Sequence, residues 1–364
     1  MSLHRKLSLA TLPKRLCILR LSAIGDTCHV VPLVRTLQAH WPETAITWVI
    51  GRVEASLLSD IPGVEFITFD KRNGWKGYTE LRSRLAGRRF DVLLNLQAAL
   101  RASVLSRLIS ADIRLGYDKS RAKDFQWLFT NARIVSNPRV HQQETMFAFL
   151  EALGLHERVL SWNIPIPSDA EAFVRERIGG GRVLVISPCS SERRNNFRNW
   201  PAESYATIAD EAARRYGMQT VLTGGGSELE QWYGEEISRL MTAKPLNLIG
   251  GTSLKQLLAV LQRADVLISP DSGPAHMANT VGTPVIGLYA SSNPFRTGPY
   301  LSLKWTVNRY PDAVREAFGK TVEEIAWGKR VRDPSVMERI KVNDVMQNLD
   351  ALAEAGFPRL LIGR

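Results

Sequence analysis

The chain is poor in cysteine and has no long apolar run. Its 364 residues hold three cysteines, Cys17, Cys28 and Cys189. These are too few and too scattered for a disulfide framework or a cysteine-rich metal site, and they suit a reducing cytoplasm. No apolar stretch approaches the roughly 18 residues that span a bilayer. The basic N-terminus has a short apolar stretch that Pro13 ends before any small-residue cleavage site, so no signal peptide is expected. Several chemistries lack their signatures. Without Gly-x-Gly-x-x-Gly or a Gly-Lys-Ser/Thr loop, neither a dinucleotide-dependent dehydrogenase nor a P-loop kinase is indicated. His-Glu-x-x-His, Cys-x-x-Cys and Asp-x-Asp are missing, so no dedicated metal site is expected. A Gly-x-Ser-x-Gly elbow is missing too, which leaves Ser-His-Asp hydrolysis unsupported. Acidic residues are in deficit: 36 Asp and Glu face 47 Lys and Arg, and the net charge of +11 points to an acidic partner.

What is present is ordinary for a globular protein, with 45% hydrophobic and 23% charged residues. The length favours two domains of roughly 150 to 180 residues. Strand-like and helix-like runs alternate. The first half predicts strands at 16–21, 45–50, 65–69 and 90–96, with helices at 30–40 and 54–60 between them. After a proline-rich linker and Gly179 to Gly181 the pattern restarts, with strands at 182–186, 219–223, 246–249, 265–268 and 284–289 and helices at 202–216, 229–240 and 254–263. Short apolar strands spaced by helices imply α/β architecture, two doubly wound parallel sheets. The expected division is 1–165, 166–345, and a C-terminal helix over 346–364 that could cross back to the first domain. Two such domains in tandem place a ligand in a cleft at the carboxyl ends of strands.

The most informative segment runs from Ser269 to Tyr289. A strand at 264–269 leads into Asp271, Ser272 and Gly273, and Pro274 opens a helix that carries His276. Pro274 suits a first turn because no N–H partner is needed there. Asp271 or Ser272 would cap the helix, and the free N–H groups with the positive dipole end could hold a phosphate. The first-strand loop, Arg20-Leu-Ser-Ala-Ile-Gly-Asp26, has one glycine for a tight turn, Gly25, and one acid. Asp26 is either a helix N-cap or a general base for an acceptor hydroxyl. Thr223-Gly224-Gly-Gly-Ser-Glu228 also joins a strand to a helix. Its glycines allow close backbone approach, and Glu228 either starts the helix or accepts from ribose hydroxyls. In the loop from Ser187 to Pro201, Ser190 and Ser191 are candidate phosphate donors and Arg198 a charge clamp. The run Lys71, Arg72, Lys76, Arg82, Arg84, Arg88, Arg89 is either a solvated face or a grip on an anion. Gly74, Trp75, Gly77 and Tyr78 interrupt it, which predicts a poor helix and a mobile loop there. Arg114, Lys119, Arg121 and Lys123 form a second basic set suited to a phosphorylated ligand or an anionic membrane.

Taken together, Leu19-Arg-Leu-Ser-Ala-Ile-Gly-Asp26, Arg198-Asn-Trp-Pro201, the Thr-Gly-Gly-Gly-Ser-Glu loop and Ser269-Pro-Asp-Ser-Gly-Pro-Ala-His276 resemble the lipopolysaccharide heptosyltransferases of glycosyltransferase family 9. The resemblance covers nearly the whole chain. It implies a GT-B fold, ADP-heptose as donor, and inverting transfer with no metal or other cofactor. Asp26 matches the family's base. Ser190, Ser191, Arg198, Thr223, Gly224, Glu228, Thr252, Asp271, Ser272, Gly273 and His276 fall where the family binds its donor. Gly25, Lys71, Arg72, Lys76, Arg101 and Arg121 fall on its acceptor side. Arg20 to Asp26 with Ile46-Thr-Trp48 and Gly74-Trp-Lys-Gly77 looks like the heptosyltransferase I branch, which implies Kdo of lipid A–Kdo as acceptor. The implied partners are that acceptor and the inner-membrane surface, met peripherally from the cytoplasm, with no nucleic acid. The alternatives are a heptosyltransferase of type II or III with a heptose acceptor, a non-hydrolysing nucleotide-sugar epimerase, and a non-catalytic basic binding protein, which has no nucleic-acid motif to support it.

Overall fold

The computed structural model describes residues 11–137, 139–190 and 196–360. The chain divides between Pro165 and Ile166 into two compact units.

The first unit is built on a six-stranded parallel sheet: β1 (Arg15–Leu19), β2 (Ala45–Gly51), β3 (Val64–Phe69), β4 (Arg89–Asn95), β5 (Ser110–Gly116) and β6 (Ala132–Arg133), in the order β3-β2-β1-β4-β5-β6. The second repeats the plan with β7 (Val183–Ile186), β8 (Gln219–Leu222), β9 (Leu246–Asn247), β10 (Val266–Pro270), β11 (Val285–Tyr289) and β12 (Val307–Asn308), in the order β12-β11-β10-β7-β8-β9. Leu16 to Leu19 and Val183 to Ile186 are fully buried, as unbroken apolar strands covered on both faces should be. In each sheet the winding reverses beside the first strand, between β1 and β4 and between β7 and β10. Loops leaving those strands diverge to opposite faces, so a crevice opens at their carboxyl ends.

Buried indoles finish the cores with their N–H groups satisfied. Trp48 donates to the Arg20 carbonyl at 3.1 Å, Trp162 to Cys28 at 2.9 Å and Trp200 to Ile340 at 3.0 Å. The helix Ala202–Tyr216 stops where Gly217 takes a φ of 63°, the left-handed conformation glycine adopts most freely. All three cysteines are buried free thiols. No helix among the described residues is long and apolar enough to cross a membrane.

Three expectations need correction. The segment predicted to be a poor helix is the regular helix Gly74–Leu85. Tertiary packing overrides its glycines, because Tyr78 meets the Phe69 ring edge-on at 5.4 Å and Leu81 and Leu85 enter the core. A Cβ at Gly77 would lie 3.0 Å from the Asp70 carbonyl, so a glycine lets the helix approach that strand end. The last helix spans Val342–Glu354 instead of 346–364. Val345, Met346, Leu349 and Leu352 bury it in the second unit's core, against the helix Ala202–Tyr216; residues 361–364 lie outside the described chain. Finally, β5, β6 and β12 add strands the sequence pattern did not announce.

Candidate active site

At the first reversal point, β1 ends at Leu19 and the chain turns into the short helix Ile24–Cys28. Ala23 holds the N-cap position, so Asp26 is not the N-cap; it stands at the third helical position, and its Oδ2 accepts the Ala23 N–H at 3.3 Å. The same oxygen lies 2.5 Å from Arg20 Nη2. Arg20 is buried, its Nη1 donates to the Leu96 carbonyl, and Tyr117 Oη donates to that carbonyl at 2.8 Å. Burial opposes the arginine's charge, yet Asp26 and Tyr117 outweigh it and raise its pKa. Asp26 is thus oriented by a fixed cation while its side chain stays 38% exposed, and a general base must be reachable. Arg20 was quoted in the motif with no role; the role is visible only once β1 and β4 bring Leu96 beside it.

The loop itself is held by three hydrogen bonds, with Gln97 and Gly51. Gln97 accepts the Leu21 N–H at 2.7 Å and donates to Ser22 Oγ at 3.3 Å. Gly51 donates to the Leu21 carbonyl at 3.0 Å, and a Cβ there would sit 2.2 Å from that oxygen, so a glycine is required. Next to it, Glu54 is a buried carboxyl that the sequence did not single out. Burial raises its pKa, with Lys71 and Arg20 lowering it and Asp26 raising it. A folded-state pKa above the unfolded value means the native state holds the proton longer, so stability falls as pH rises through that window. Glu54→Gln should therefore gain in melting temperature relative to wild type between pH 4 and pH 7. A difference that stays constant across that range would show that burial does not perturb this carboxyl.

The acceptor-side candidates take different situations. Gly25 is buried in the Ile24–Cys28 helix. Lys71 and Arg72 lie in the turn Lys71–Asn73, where Arg72 pairs with Asp70 at 3.1 Å; Arg72, then Arg52, hold that carboxyl well below the usual range. Lys76 and Arg101 are exposed, on the helices Gly74–Leu85 and Leu100–Ser106. Arg121 is already engaged: it pairs with Asp118 and donates to Thr145 Oγ1 at 2.9 Å and to the Val135 carbonyl at 3.1 Å.

At the second reversal point, β10 ends at Pro270 and the helix Gly273–Thr280 begins. The expected side-chain cap is not there. Ser272 occupies the N-cap position, but its hydroxyl bonds Ser269 Oγ at 2.7 Å, and among the described residues no side chain caps this helix. Asp271 turns its carboxylate the other way, toward Ser292 Oγ at 3.0 Å, Arg198 Nη1 at 3.3 Å and Arg330 Nη2 at 3.7 Å. Arg198 Nη1 also donates to the Asp271 carbonyl at 2.8 Å. Arg198 and Arg330 thereby gather on the carboxylate of the turn from which this helix starts. Arg330 comes from the stretch 312–333, for which the sequence offered no motif. The chain brings it in by pairing Val331 with Ser291 through bonds of 3.0 and 2.8 Å.

The neighbouring loops complete this side. Ser190 is buried, its N–H donating to Asn199 Oδ1 at 2.9 Å and its Oγ accepting from Asn196 at 2.7 Å; Ser191 lies outside the described residues. Thr223 is buried at the end of β8, its N–H on the Ile186 carbonyl at 2.9 Å. In the glycine loop, Gly225 N–H donates to Glu230 Oε1 at 2.7 Å, and Ser227 caps the helix Glu228–Leu240. Gly224 is half-buried against Glu230, and Glu228 is exposed at the helix start. Thr252 is half-buried, one residue before Ser253, the cap of the helix Leu254–Arg263. Gly273 opens the Gly273–Thr280 helix, and His276 is buried one turn along it. No group of three or more His, Cys, Asp or Glu side chains able to hold a metal ion occurs among the described residues.

Comparison with known proteins bears on this arrangement. Residues 78–322 match the family model described as glycosyltransferase family 9 (heptosyltransferase). The chain is 40% identical over 341 residues, 93% of its length and 97% of the relative's, to the lipopolysaccharide core heptosyltransferase OpsX of Haemophilus influenzae. Its fold is similar to that of a family 9 glycosyltransferase of Veillonella parvula, with a TM-score of 0.79 at 25% identity over 96% of this chain and 99% of that one. A TM-score of 0.69 at 19% identity relates it to E. coli heptosyltransferase WaaC with ADP, over 93% of this chain and 99% of that one.

Proposed function

The chain belongs to glycosyltransferase family 9, and from that premise we propose that it is a heptosyltransferase of lipopolysaccharide core biosynthesis that moves heptose from ADP-heptose to Kdo of a lipid A–Kdo acceptor. The observation that carries the mechanism is Asp26, half-open in the short helix that follows β1 and oriented at 2.5 Å by buried Arg20. Arg20 fixes the direction of the carboxylate, and its exposure leaves it within reach of an acceptor hydroxyl. Asp26 takes the proton of a Kdo hydroxyl; the oxygen forms a bond to the anomeric carbon, and the bond from that carbon to the diphosphate breaks. ADP leaves with the electron pair, and a single displacement inverts the anomeric configuration. The start of the helix Gly273–Thr280, with Arg198 and Arg330, stabilises the diphosphate's growing charge. In this reading no metal takes part, the donor binds among the second unit's residues from Ser190 to His276, and Lys71, Arg72, Lys76, Arg101 and Arg121 meet the acceptor's anionic groups. The enzyme works in the cytoplasm at the membrane surface.

Mass spectrometry of lipid A–Kdo incubated with ADP-heptose and the purified protein tests this. One added heptose is expected, unchanged by EDTA and with inverted anomeric configuration by NMR, and donor alone should stay intact. Addition only to heptose-bearing acceptors would transfer the reading to types II and III. Loss of turnover in EDTA would refute the metal-free step.

A further inference from the structure

Building on the acceptor reading above, we infer that a patch on the first unit docks this protein on an anionic lipid bilayer, through Phe125, Trp127 and Leu128 beside Leu100 and Val104. The turn Gln126–Leu128 is pinned by one buried amide. Gln126 is 1% exposed; its Oε1 accepts the Tyr117 N–H at 3.1 Å, and its Nε2 donates to the Asn95 and Gln97 carbonyls at 3.1 and 3.4 Å. Its neighbours point the other way: Phe125 is 65% exposed, Trp127 52% and Leu128 57%. Asp124 and Phe125 both take positive φ, 50° and 58°, a conformation that residues with a Cβ avoid. A turn that is anchored this firmly, and yet shows three large apolar side chains to water, is shaped for a surface it has still to meet.

The surroundings say which surface. Asp124 Oδ2 accepts the Leu100 N–H at 3.2 Å, seating the turn against the helix Leu100–Ser106. On that helix Leu100 and Val104, four residues apart on one face, are both exposed. Arg101, Arg107, Lys119 and Lys123 are exposed on the same segments. Of the acids nearby, Asp118 pairs with Arg121 and Asp112 with Arg89, while Asp124 is exposed and keeps its charge beside the Leu100 N–H. Exposed apolar side chains with exposed cations on the same segments are the composition that enters the interface of a negatively charged bilayer. The patch is also next to the chemistry: Gln97, whose carbonyl Gln126 holds, is the residue that fixes Leu21 and Ser22 in the loop of Asp26.

Sedimentation of the full chain with vesicles of phosphatidylglycerol and phosphatidylcholine, against phosphatidylcholine alone, tests the inference. The wild type should bind the anionic vesicles. Phe125→Ser/Trp127→Ser/Leu128→Ser and, separately, Lys119→Glu/Lys123→Glu should each weaken that binding at least about tenfold. Both variants should keep wild-type turnover on an acceptor freed of its acyl chains, and lose it on acceptor embedded in vesicles. Equal binding of wild type and variants, or a dimer that the apolar triple variant dissolves, would overturn the docking role and leave heptosyl transfer standing. Absence of transfer by the wild type on either acceptor would count against the enzymatic reading instead, whatever the vesicles show.

Discussion

Asp26→Asn should lower turnover by about two orders of magnitude or more, the range a general base contributes, while ADP binding stays as in the wild type. Asparagine keeps an oxygen for Arg20 and the Ala23 N–H, so the loop geometry should persist and the loss should fall on the chemical step. Steady-state rates at saturating acceptor, read beside the thermal shift that ADP produces, separate the two effects. A variant with near-normal turnover would remove Asp26 from the proton transfer. One that also loses the ADP shift would show that the substitution has disturbed more than a base.

Arg198→Met is expected to have the largest effect on stability among the site residues, about 3 kcal/mol, because it leaves a buried carboxylate short of its nearest cation. Asp271 would retain Ser292 at 3.0 Å and Arg330 at 3.7 Å, which do not replace a guanidinium bonded to both its carboxylate and its carbonyl. Donor affinity should fall as well. The double variant Arg198→Met/Asp271→Asn resolves the two roles, since it removes the unpaired charge and should recover most of the stability without recovering ADP binding. Recovery of both by the double variant would make Arg198 a structural partner of Asp271 and nothing more. Unfolding in urea with and without ADP supplies both measurements.

Much of the fold was legible because the apolar runs are short and regularly spaced. The helices Ala202–Tyr216 and Leu254–Arg263 have the ends the sequence suggests, one at Gly217 and the other behind the Ser253 cap. What escaped was what depends on distant residues. β6 and β12 are two residues long, too short to carry a period. β5 contains Arg114, which reads as a surface residue. Its guanidinium instead donates to the Phe129 carbonyl at 3.1 Å and the Ile109 carbonyl at 2.7 Å, partners fixed only when the chain returns. The site divides in the same way. Asp26 and Asp271 stand out because each follows a strand and opens a helix. Their partners Arg20, Glu54, Ser292 and Arg330 do not, since pairing between residues far apart in the chain leaves no local pattern. The capping role expected of Asp271 or Ser272 failed because Asp271 turns to the distant Arg198 and Ser292, while Ser272 bonds Ser269 three residues back.

The buried thiols have a practical consequence. Burial pushes Cys28 and Cys189 up to about 12 and Cys17 higher still, so alkylating reagents meet no thiolate in the native protein. Cys17 and Cys28 belong to one half and Cys189 to the other. Under mild denaturant, the order in which peptides become alkylated therefore reports which half opens first, with no label to install. Since Cys189 adjoins Ser190, a nucleotide seated there should delay the modification of that thiol alone.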